Sequence, residues 1–280
     1  MASNLALRIG TGVVLVAAIL AALFLLPPAA FGAGMLVIVS MAAHEWARLI
    51  ELRGGAVTAF TALVFVAGAA LLALALANGF APVVIGACGI ATLYWLVAGV
   101  PSVLANWQPS SPIARAFGAF VVLEGALVAI VALQAHSPAV ALAAMAIVWI
   151  ADTAAYFTGR RFGLHKLAPR ISPGKTWEGA AGAAGAVVVY ALLLVPLARR
   201  AGFAAEIDAT AVVVWILLAI ALVALSIVGD LHESLLKRRA GVKDSGTLLP
   251  GHGGVLDRID ALLAAMPPFA LASLAFLRAE

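Results

Sequence analysis

The densest group of side chains able to do chemistry lies between Gly229 and Asp260. Asp230, Ser234 and Lys237 are spaced i, i+4 and i+7, so a continuous helix would point all three the same way. A carboxylate, a hydroxyl and an ammonium on one face suit the binding of a charged substrate. We therefore treat this stretch as the first candidate for a catalytic centre.

Further along the same stretch, Asp257 and Asp260 are three residues apart and would share a face at the start of another helix. Paired carboxylates with no Cys and little His suit a hard, oxygen-seeking cation, Mg²⁺ before Zn²⁺. Glycines such as Gly253 and Gly254 let backbone amides approach a phosphate closely. The cations that could also hold phosphates are Lys237, Arg238, Lys243 and Arg258.

A simpler interpretation is a basic loop beside the membrane, held by salt bridges such as one between Glu233 and Lys237. That interpretation leaves the glycine-rich loop Pro250–Gly254 and the paired aspartates unexplained. Zinc-protease chemistry is excluded, because His44-Glu45 is followed by Arg48 and His232-Glu233 by Leu236, so neither completes an H-E-x-x-H ligand pair.

A second polar cluster begins with Asp152 and Tyr156, one helical turn apart, and continues to Gly179. An ionisable residue within a span is by default a functional-site hypothesis, although Asp152 could instead pair with an Arg or Tyr to lock two helices. A P-loop is rejected, because Pro169 stands where that motif needs Gly and no soluble strand precedes it. What remains is an anion site ahead of a helix N-terminus, formed by Ser172, Lys175 and Thr176. Glu178, in the first turn of that helix, is a further candidate for substrate binding.

The elements that must position these clusters are membrane helices. Of 280 residues, 65% are hydrophobic and only 11% charged, against about a quarter charged in ordinary soluble domains. The single cysteine, Cys88, excludes an intramolecular disulfide framework. The first apolar stretch is interpreted as a membrane helix rather than a cleaved signal peptide, because equally apolar spans follow it.

Stretches of about 20 apolar residues predict nine spans. They are Ile9–Leu26, Ala29–Ala47, Val57–Ala77, Phe80–Val100, Ala116–Gln134, Pro138–Phe157, Trp177–Leu197, Ala211–Gly229 and Leu256–Leu277. With the N-terminus in the cytoplasm, every Lys and Arg except Arg199, Arg200 and Arg278 falls on the cytoplasmic side, as the positive-inside rule requires. The predicted fold is thus an all-α, polytopic integral membrane protein with a cytoplasmic N-terminus, with helices 1–5 in residues 1–137 and helices 6–9 with the catalytic loops in residues 138–280.

The second half of the chain resembles the phosphatidate cytidylyltransferases, whose signature is S-x-x-K-R-x4-K-D-x-G-x2-L-P-G-H-G-G-x-x-D-R-x-D. The region from Asp152 to Gly179 is also similar, through its Asp, Tyr, Gly-Arg and S-P-G-K-T-W-E-G stretch. Gly174 and Ala261 depart from the pattern and put one basic and one hydroxyl contact in doubt. The signature residues here are Ser234, Lys237, Arg238, Lys243, Asp244, Gly246, Leu249, Pro250, Gly251, His252, Gly253, Gly254, Asp257, Arg258 and Asp260.

The resemblance implies that CTP and phosphatidic acid react to CDP-diacylglycerol and pyrophosphate at the cytoplasmic membrane, with Mg²⁺ required and a second cation left open. By position it implies Asp230 and Asp257 as metal ligands, with Asp260 a weaker candidate. Nucleic acid is not an expected partner, and a homodimer stays open, since Gly182 and Gly185 could support helix contact. The alternatives are an ion or lipid transporter with intramembrane carboxylates, a CDP-alcohol phosphotransferase, whose D-G-x2-A-R motif is absent, and a non-catalytic scaffold.

Overall fold

The computed structural model describes residues 2–200, 208–248 and 253–276, and most of these lie in helices. Within those ranges, α2 to α9 are long and apolar enough to cross a membrane, and α1 holds a shorter apolar stretch, Gly12–Leu25. The all-α membrane architecture is confirmed, while the cytoplasmic N-terminus stays a prediction. The helices are α1 (Ala2–Leu25), α2 (Pro28–Leu49), α3 (Gly55–Asn78), α4 (Phe80–Leu104), α5 (Pro112–His136), α6 (Pro138–Phe162), α7 (Trp177–Arg200), α8 (Ala209–Arg239) and α9 (Leu256–Phe276).

Helix boundaries follow local backbone chemistry. Pro28, Pro112 and Pro138 each occupy the first position of a helix, where proline's missing N–H group costs nothing. Gly79 separates α3 from α4 with φ +88°, a conformation that L side chains rarely adopt. The helices beginning at Phe80 and Pro138 start where spans were predicted to start, whereas α2 and α5 begin before the predicted Ala29 and Ala116. In lipid the backbone must satisfy its own hydrogen bonds, which favours such long uninterrupted helices.

Helix α5 is the buried centre of the bundle and packs against α2, α3, α4, α6 and α9. At Gly125 there is no room for a side chain, because Ala91 of α4 lies against it. The thiol of Cys88 donates to the Gly125 carbonyl oxygen at 3.5 Å, so the single cysteine is part of this core. Through α5 the N-terminal half supports α9.

Two π-helical segments interrupt α4, at Val84–Cys88 and Trp95–Gly99. The second segment presents the buried Trp95, whose indole N–H donates to the Leu263 carbonyl oxygen of α9 at 3.0 Å. Its ring also lies 5.4 Å, centroid to centroid, from the ring of His232 in α8. One side chain of α4 thus contacts both helices that carry the main candidate cluster.

Helices α6 and α7 are connected by an antiparallel hairpin that the sequence did not predict, formed by β1 (Lys166–Ala168) and β2 (Ser172–Thr176). Ile171 in its turn is buried with Leu231 and Leu235 of α8. The guanidinium of Arg238, also on α8, donates through Nε to the Ile171 carbonyl oxygen at 3.3 Å. The hairpin is therefore anchored to α8.

Of the two glycines considered for contact between copies, Gly182 is used inside the chain. A Cβ atom at Gly182 would collide with Thr158 of α6, so this glycine lets α6 and α7 pack closely. A Cβ at Gly185 would have no neighbour within 4 Å among the described residues. Homodimer formation stays a prediction.

Candidate active site

The site is built where α8 and α9 cross at Gly229. A Cβ atom there would lie 2.5 Å from the Asp260 carbonyl oxygen and 3.0 Å from the Ala264 Cβ. Only glycine permits this approach, which brings Asp230, the next residue of α8, close to the carboxylates of α9. The charges of Asp230 and Asp260 are near enough to interact. Asp230 of α8 and Asp260 of α9 thus lie near each other, and their roles as metal ligands stay a prediction.

Asp230, Ser234 and Lys237 lie on one continuous helix, as predicted. The Ser234 hydroxyl donates to Asp230 Oδ1 at 3.3 Å. The ammonium of Lys237 donates to Asp257 Oδ1 of α9 at 2.6 Å and also pairs with Glu233. The side chains of Lys237 and Asp257 are only 14% and 5% exposed, so this is a largely desolvated cluster of charge.

Asp257, near the start of α9, binds a residue ahead of the glycine-rich loop and the last residue of that loop. Its Oδ2 accepts hydrogen bonds from the Ser245 amide at 2.9 Å, the Ser245 hydroxyl at 3.0 Å and the Gly254 amide at 2.8 Å. Gly253 has φ +83°, and a Cβ there would come within 2.7 Å of the same oxygen. Asp257 therefore holds the loop with one oxygen and Lys237 with the other. His252 lies outside the described residues.

The hairpin belongs to the second cluster, Asp152–Gly179, and brings it to the first, Gly229–Asp260. Lys175 of β2 forms an ion pair with Asp230, with Nζ 2.7 Å from Oδ2. Asp152 of α6 is exposed, and its charge interacts with those of Asp230 and Lys175. No hydrogen bond or ion pair within the described ranges ties Asp152 to an Arg or Tyr, so the helix-locking alternative has no support there.

The structure places other predicted binding residues in local contacts. Thr176 is buried and caps α7, its hydroxyl oxygen accepting from the Gly179 amide at 3.1 Å. Glu178 pairs with His165, with Oε1 2.6 Å from Nδ1. Tyr156 accepts a hydrogen bond from Arg160 at 3.0 Å. Ser172 begins β2, paired with Ala168.

Lys243, Asp244 and Arg258 are exposed beside this cluster. Neither Lys243 nor Arg258 forms a side-chain ion pair with any residue that the structure describes. Their charges are available to an anionic ligand, in contrast to those of Lys175 and Lys237. Arg238 is partly committed to the hairpin through Ile171.

Sequence reasoning missed Glu45 of α2, whose buried carboxylate accepts hydrogen bonds from the Val255 and Leu256 amides at the start of α9. It was weighed only as half of a zinc-ligand motif. The available signal was an ionisable residue inside an apolar span.

The oxygen donors of the site suit a hard cation. Among residues 2–200, 208–248 and 253–276, no group of three or more His, Cys, Asp or Glu side chains is placed to share one metal ion. Mg²⁺, however, is usually held by one or two carboxylates together with water and substrate phosphates. Asp230, Asp257 and Asp260 fit that mode of binding chemically, and magnesium stays a prediction.

Comparison with known proteins agrees with the arrangement of the site. The model of the cytidylyltransferase family matches residues 6–276. The chain is 39% identical over 272 residues to a phosphatidate cytidylyltransferase of Pseudomonas aeruginosa, covering 94% of each chain. It is 35% identical over 288 residues to one of Haemophilus influenzae, covering 94% of this chain and 96% of that one. A relative in Brucella suis with the same name is 52% identical over 121 residues, 43% of this chain and 41% of that one.

The family model and the matches to the Pseudomonas and Haemophilus proteins extend over nearly the whole chain, including N-terminal helices that the motifs do not reach. They coincide with a structure in which both motif clusters meet around Asp230. From the match over nearly its whole length and the meeting of its motifs at one site, we conclude that the chain belongs to the cytidylyltransferase family and is a membrane-bound nucleotidyltransferase.

Proposed function

We propose that this protein is a phosphatidate cytidylyltransferase, which converts CTP and phosphatidic acid to CDP-diacylglycerol and pyrophosphate. The observation that carries the proposal is the Lys175–Asp230 ion pair, which joins the two motif clusters into one site. The names of the relatives supply the substrates.

The reaction is a direct displacement. An oxygen of the lipid phosphate attacks the α-phosphorus of CTP, the bond from that phosphorus to the bridging oxygen breaks, and pyrophosphate leaves. No covalent enzyme intermediate is needed, so positioning and charge neutralisation account for most of the catalysis. The side chains near Asp230 suit both tasks.

The two lysines of the site can exchange their carboxylate partners for substrate phosphates. In the structure Lys175 and Lys237 pair with Asp230 and Asp257. Phosphate oxygens of arriving substrates are stronger competitors for these ammonium groups than water is, because charge-assisted contacts strengthen in a desolvated site. Lys243 and Arg258, exposed and unpaired within the described ranges, hold the departing pyrophosphate. The hairpin and α6 form the other side of the site, where they contribute Ser172, Lys175 and Tyr156.

Asp230 and Asp257, with Asp260 beside them, would hold Mg²⁺, which supplies positive charge that lowers the repulsion between the two anionic substrates. The protein's own contribution is to bring these carboxylates together at the Gly229 crossing and to keep Asp257 fixed by Ser245 and Gly254.

The position of the site suits one water-soluble and one lipid substrate. It lies at one end of α6, α8 and α9, with Asp152 exposed on α6. Phosphatidic acid can reach it from the bilayer without leaving the membrane, and CTP reaches it from the aqueous phase. With the predicted orientation, that phase is the cytoplasm and the membrane of a bacterial source is the inner one.

The test is transfer of label from α-³²P-CTP to a chloroform-extractable product by purified protein with phosphatidic acid and Mg²⁺. Wild type is compared with Asp257→Asn and, as a matched aspartate control, Asp208→Asn, which alters only the cap of α8 at its opposite end. We expect lipid-dependent label that EDTA and Asp257→Asn abolish and Asp208→Asn retains.

The expected loss is orders of magnitude in rate, because about 1.4 kcal/mol of transition-state stabilisation corresponds to a factor of ten. Absence of label from folded wild type would refute the proposal and favour the transporter alternative. Near-normal turnover by folded Asp257→Asn would refute the role of Asp257 alone.

A further inference from the structure

Glu45 of α2 is a buried carboxylate directed at the start of another helix. Only 5% of the surface of Glu45 is exposed. Oε1 accepts a hydrogen bond from the Val255 amide at 3.1 Å, and Oε2 accepts one from the Leu256 amide at 2.8 Å. Leu256 is the first residue of α9. Glu45 thus satisfies backbone donors that a helix start leaves free, with a charge of the favourable sign.

Ser245 connects Glu45 to the reacting centre. Its hydroxyl oxygen lies 3.0 Å from Glu45 Oε2 and 3.0 Å from Asp257 Oδ2. A serine hydroxyl has one proton, so it donates to one of the two carboxylates at a time. Both carboxylates therefore contact the same hydroxyl, and a movement of Glu45 would change the hydrogen bond between Ser245 and Asp257.

Two glycines of the signature leave the space that Glu45 occupies. A Cβ at Gly246 would come within 2.8 Å of the Glu45 Cδ, and one at Gly254 would come within 2.7 Å of its Oε1. The loop folds around the carboxylate, and Glu45 cannot move aside without losing its hydrogen bonds. The Glu45 side chain leaves no room for a Cβ atom at Gly246, and Glu45 together with the Ser245 hydroxyl leaves none at Gly254.

Helix α2 is itself held against α8. The ring of Trp46, next to Glu45, lies 5.9 Å from the ring of His232, centroid to centroid. His232 lies on α8, two residues after Asp230, and Glu45 accepts a hydrogen bond from Leu256 of α9, so α2 contacts both helices that carry the site. The position of Glu45 is therefore determined by contacts with α8 as well as with α9.

We infer that Glu45 is a positioning residue for nucleotidyl transfer: through the Leu256 amide and Ser245 it holds the start of α9 so that Asp257 faces Lys237. It acts through these groups and does not contact substrate. The inference rests on the proposed role of Asp257, and its test separates the two.

The variant is Glu45→Gln, which keeps the size of the side chain but removes its charge and replaces one acceptor by a donor. The matched control is Glu124→Gln, the same change at another buried glutamate, on α5, with no hydrogen-bond partner among the described residues. Hydrogen exchange of the segment 253–260 measures the loop directly. Steady-state kinetics, corrected for folded fraction, give kcat and KM for CTP and for phosphatidic acid.

For Glu45→Gln we expect exchange in 253–260 to accelerate tenfold or more, and kcat/KM for CTP to fall at least tenfold. Glu124→Gln should change neither quantity more than twofold. A merely structural role would lower the folded fraction and melting temperature but leave kcat/KM per folded molecule unchanged. That result, or unchanged exchange in Glu45→Gln, would overturn the inference.

Asp257→Asn assayed in parallel separates the two claims. If Asp257→Asn is inactive and Glu45→Gln is normal, the inference fails and the proposed function stands. If Asp257→Asn turns over normally, the proposed role of Asp257 fails, and the positioning role that depends on it fails with it.

Discussion

The ammonium of Lys175 lies 2.7 Å from the Asp230 carboxylate, although 55 positions separate the two residues in the sequence. The pair connects the hairpin before α7 to the C-terminal third of the longest described helix, α8. Both side chains are only partly buried, with 24% and 32% of their surfaces exposed. Such a pair contributes little to stability by itself, and its position at the meeting point of two motifs indicates a role in binding.

The Lys175–Asp230 pair gives the first prediction. Lys175→Gln and Asp230→Asn should each lower kcat/KM at least a hundredfold, because each removes a charge that faces substrate phosphate or its counter-ion. The double variant that swaps the two charges, Lys175→Asp with Asp230→Lys, should not restore activity. In the reaction the two charges have different partners. Recovery to within tenfold of wild type would show that only the ion pair matters. Glu51→Gln, which breaks the exposed pair with Arg115, is the control and should be neutral.

Gly229→Ala should damage the site by separating α8 from α9. The added methyl would lie 2.5 Å from the Asp260 carbonyl oxygen, and overpacking of this kind costs typically about 1–3 kcal/mol. We expect a lower melting temperature in detergent together with a loss of activity that exceeds the loss of folded protein. Gly185→Ala, where the structure offers open space on α7, should leave both measurements near wild type. Equal behaviour of the two variants would contradict the close crossing.

Gly246→Ala and Glu45→Ala should be coupled. The three atoms nearest to the Cβ of an alanine at 246 all belong to the Glu45 side chain, so removing that side chain should make the added methyl tolerable. A double-mutant cycle on thermal or denaturant stability should therefore show an interaction energy of about 0.5–3 kcal/mol, the double variant being more stable than additivity predicts. Additive effects would mean that Glu45 does not occupy the space beside Gly246.

Lys243→Gln and Arg258→Gln should weaken nucleotide use while leaving the fold intact. Both cations are exposed and form no side-chain ion pair within the described ranges, so their removal leaves no buried charge behind. A lost charge-assisted contact of about 1.5–3 kcal/mol corresponds to roughly 10- to 150-fold in kcat/KM for CTP. Lys166→Gln, an exposed lysine on β1, is the control and should change kcat/KM less than threefold. Unchanged CTP kinetics in both variants would exclude them from the pyrophosphate site.

Local chemistry explains why much of the architecture could be predicted from sequence. Long apolar stretches must be helical in lipid, and prolines such as Pro112 and Pro138 mark where helices begin. The i, i+4, i+7 spacing placed Asp230 and Lys237 on one face before their contacts were known. The signature around Asp257 indicated the family, because its residue types and spacing are local properties of the chain.

The hairpin and its consequences were not predictable in the same way. Its strands are three and five residues long, too short for a periodic signal, and it is stabilised by Ile171 packing on α8. Lys175 meets Asp230 only because that packing exists. Thr176, predicted to bind an anion, caps α7 through the Gly179 amide, and Glu178, predicted to bind substrate, pairs with His165.

The sequence by itself determined the helices, their apolar faces, the carboxylate spacings and the family to which the signature belongs, since each of these depends on residues within a few turns of one another. Only the tertiary structure decided that the two polar clusters form one site and that Glu45 supports it, across 200 residues from Ser245. The physical reason is that such contacts depend on how closely helices pack, and that closeness is determined at single glycines, Gly229, Gly246 and Gly254, whose partners no local pattern reveals.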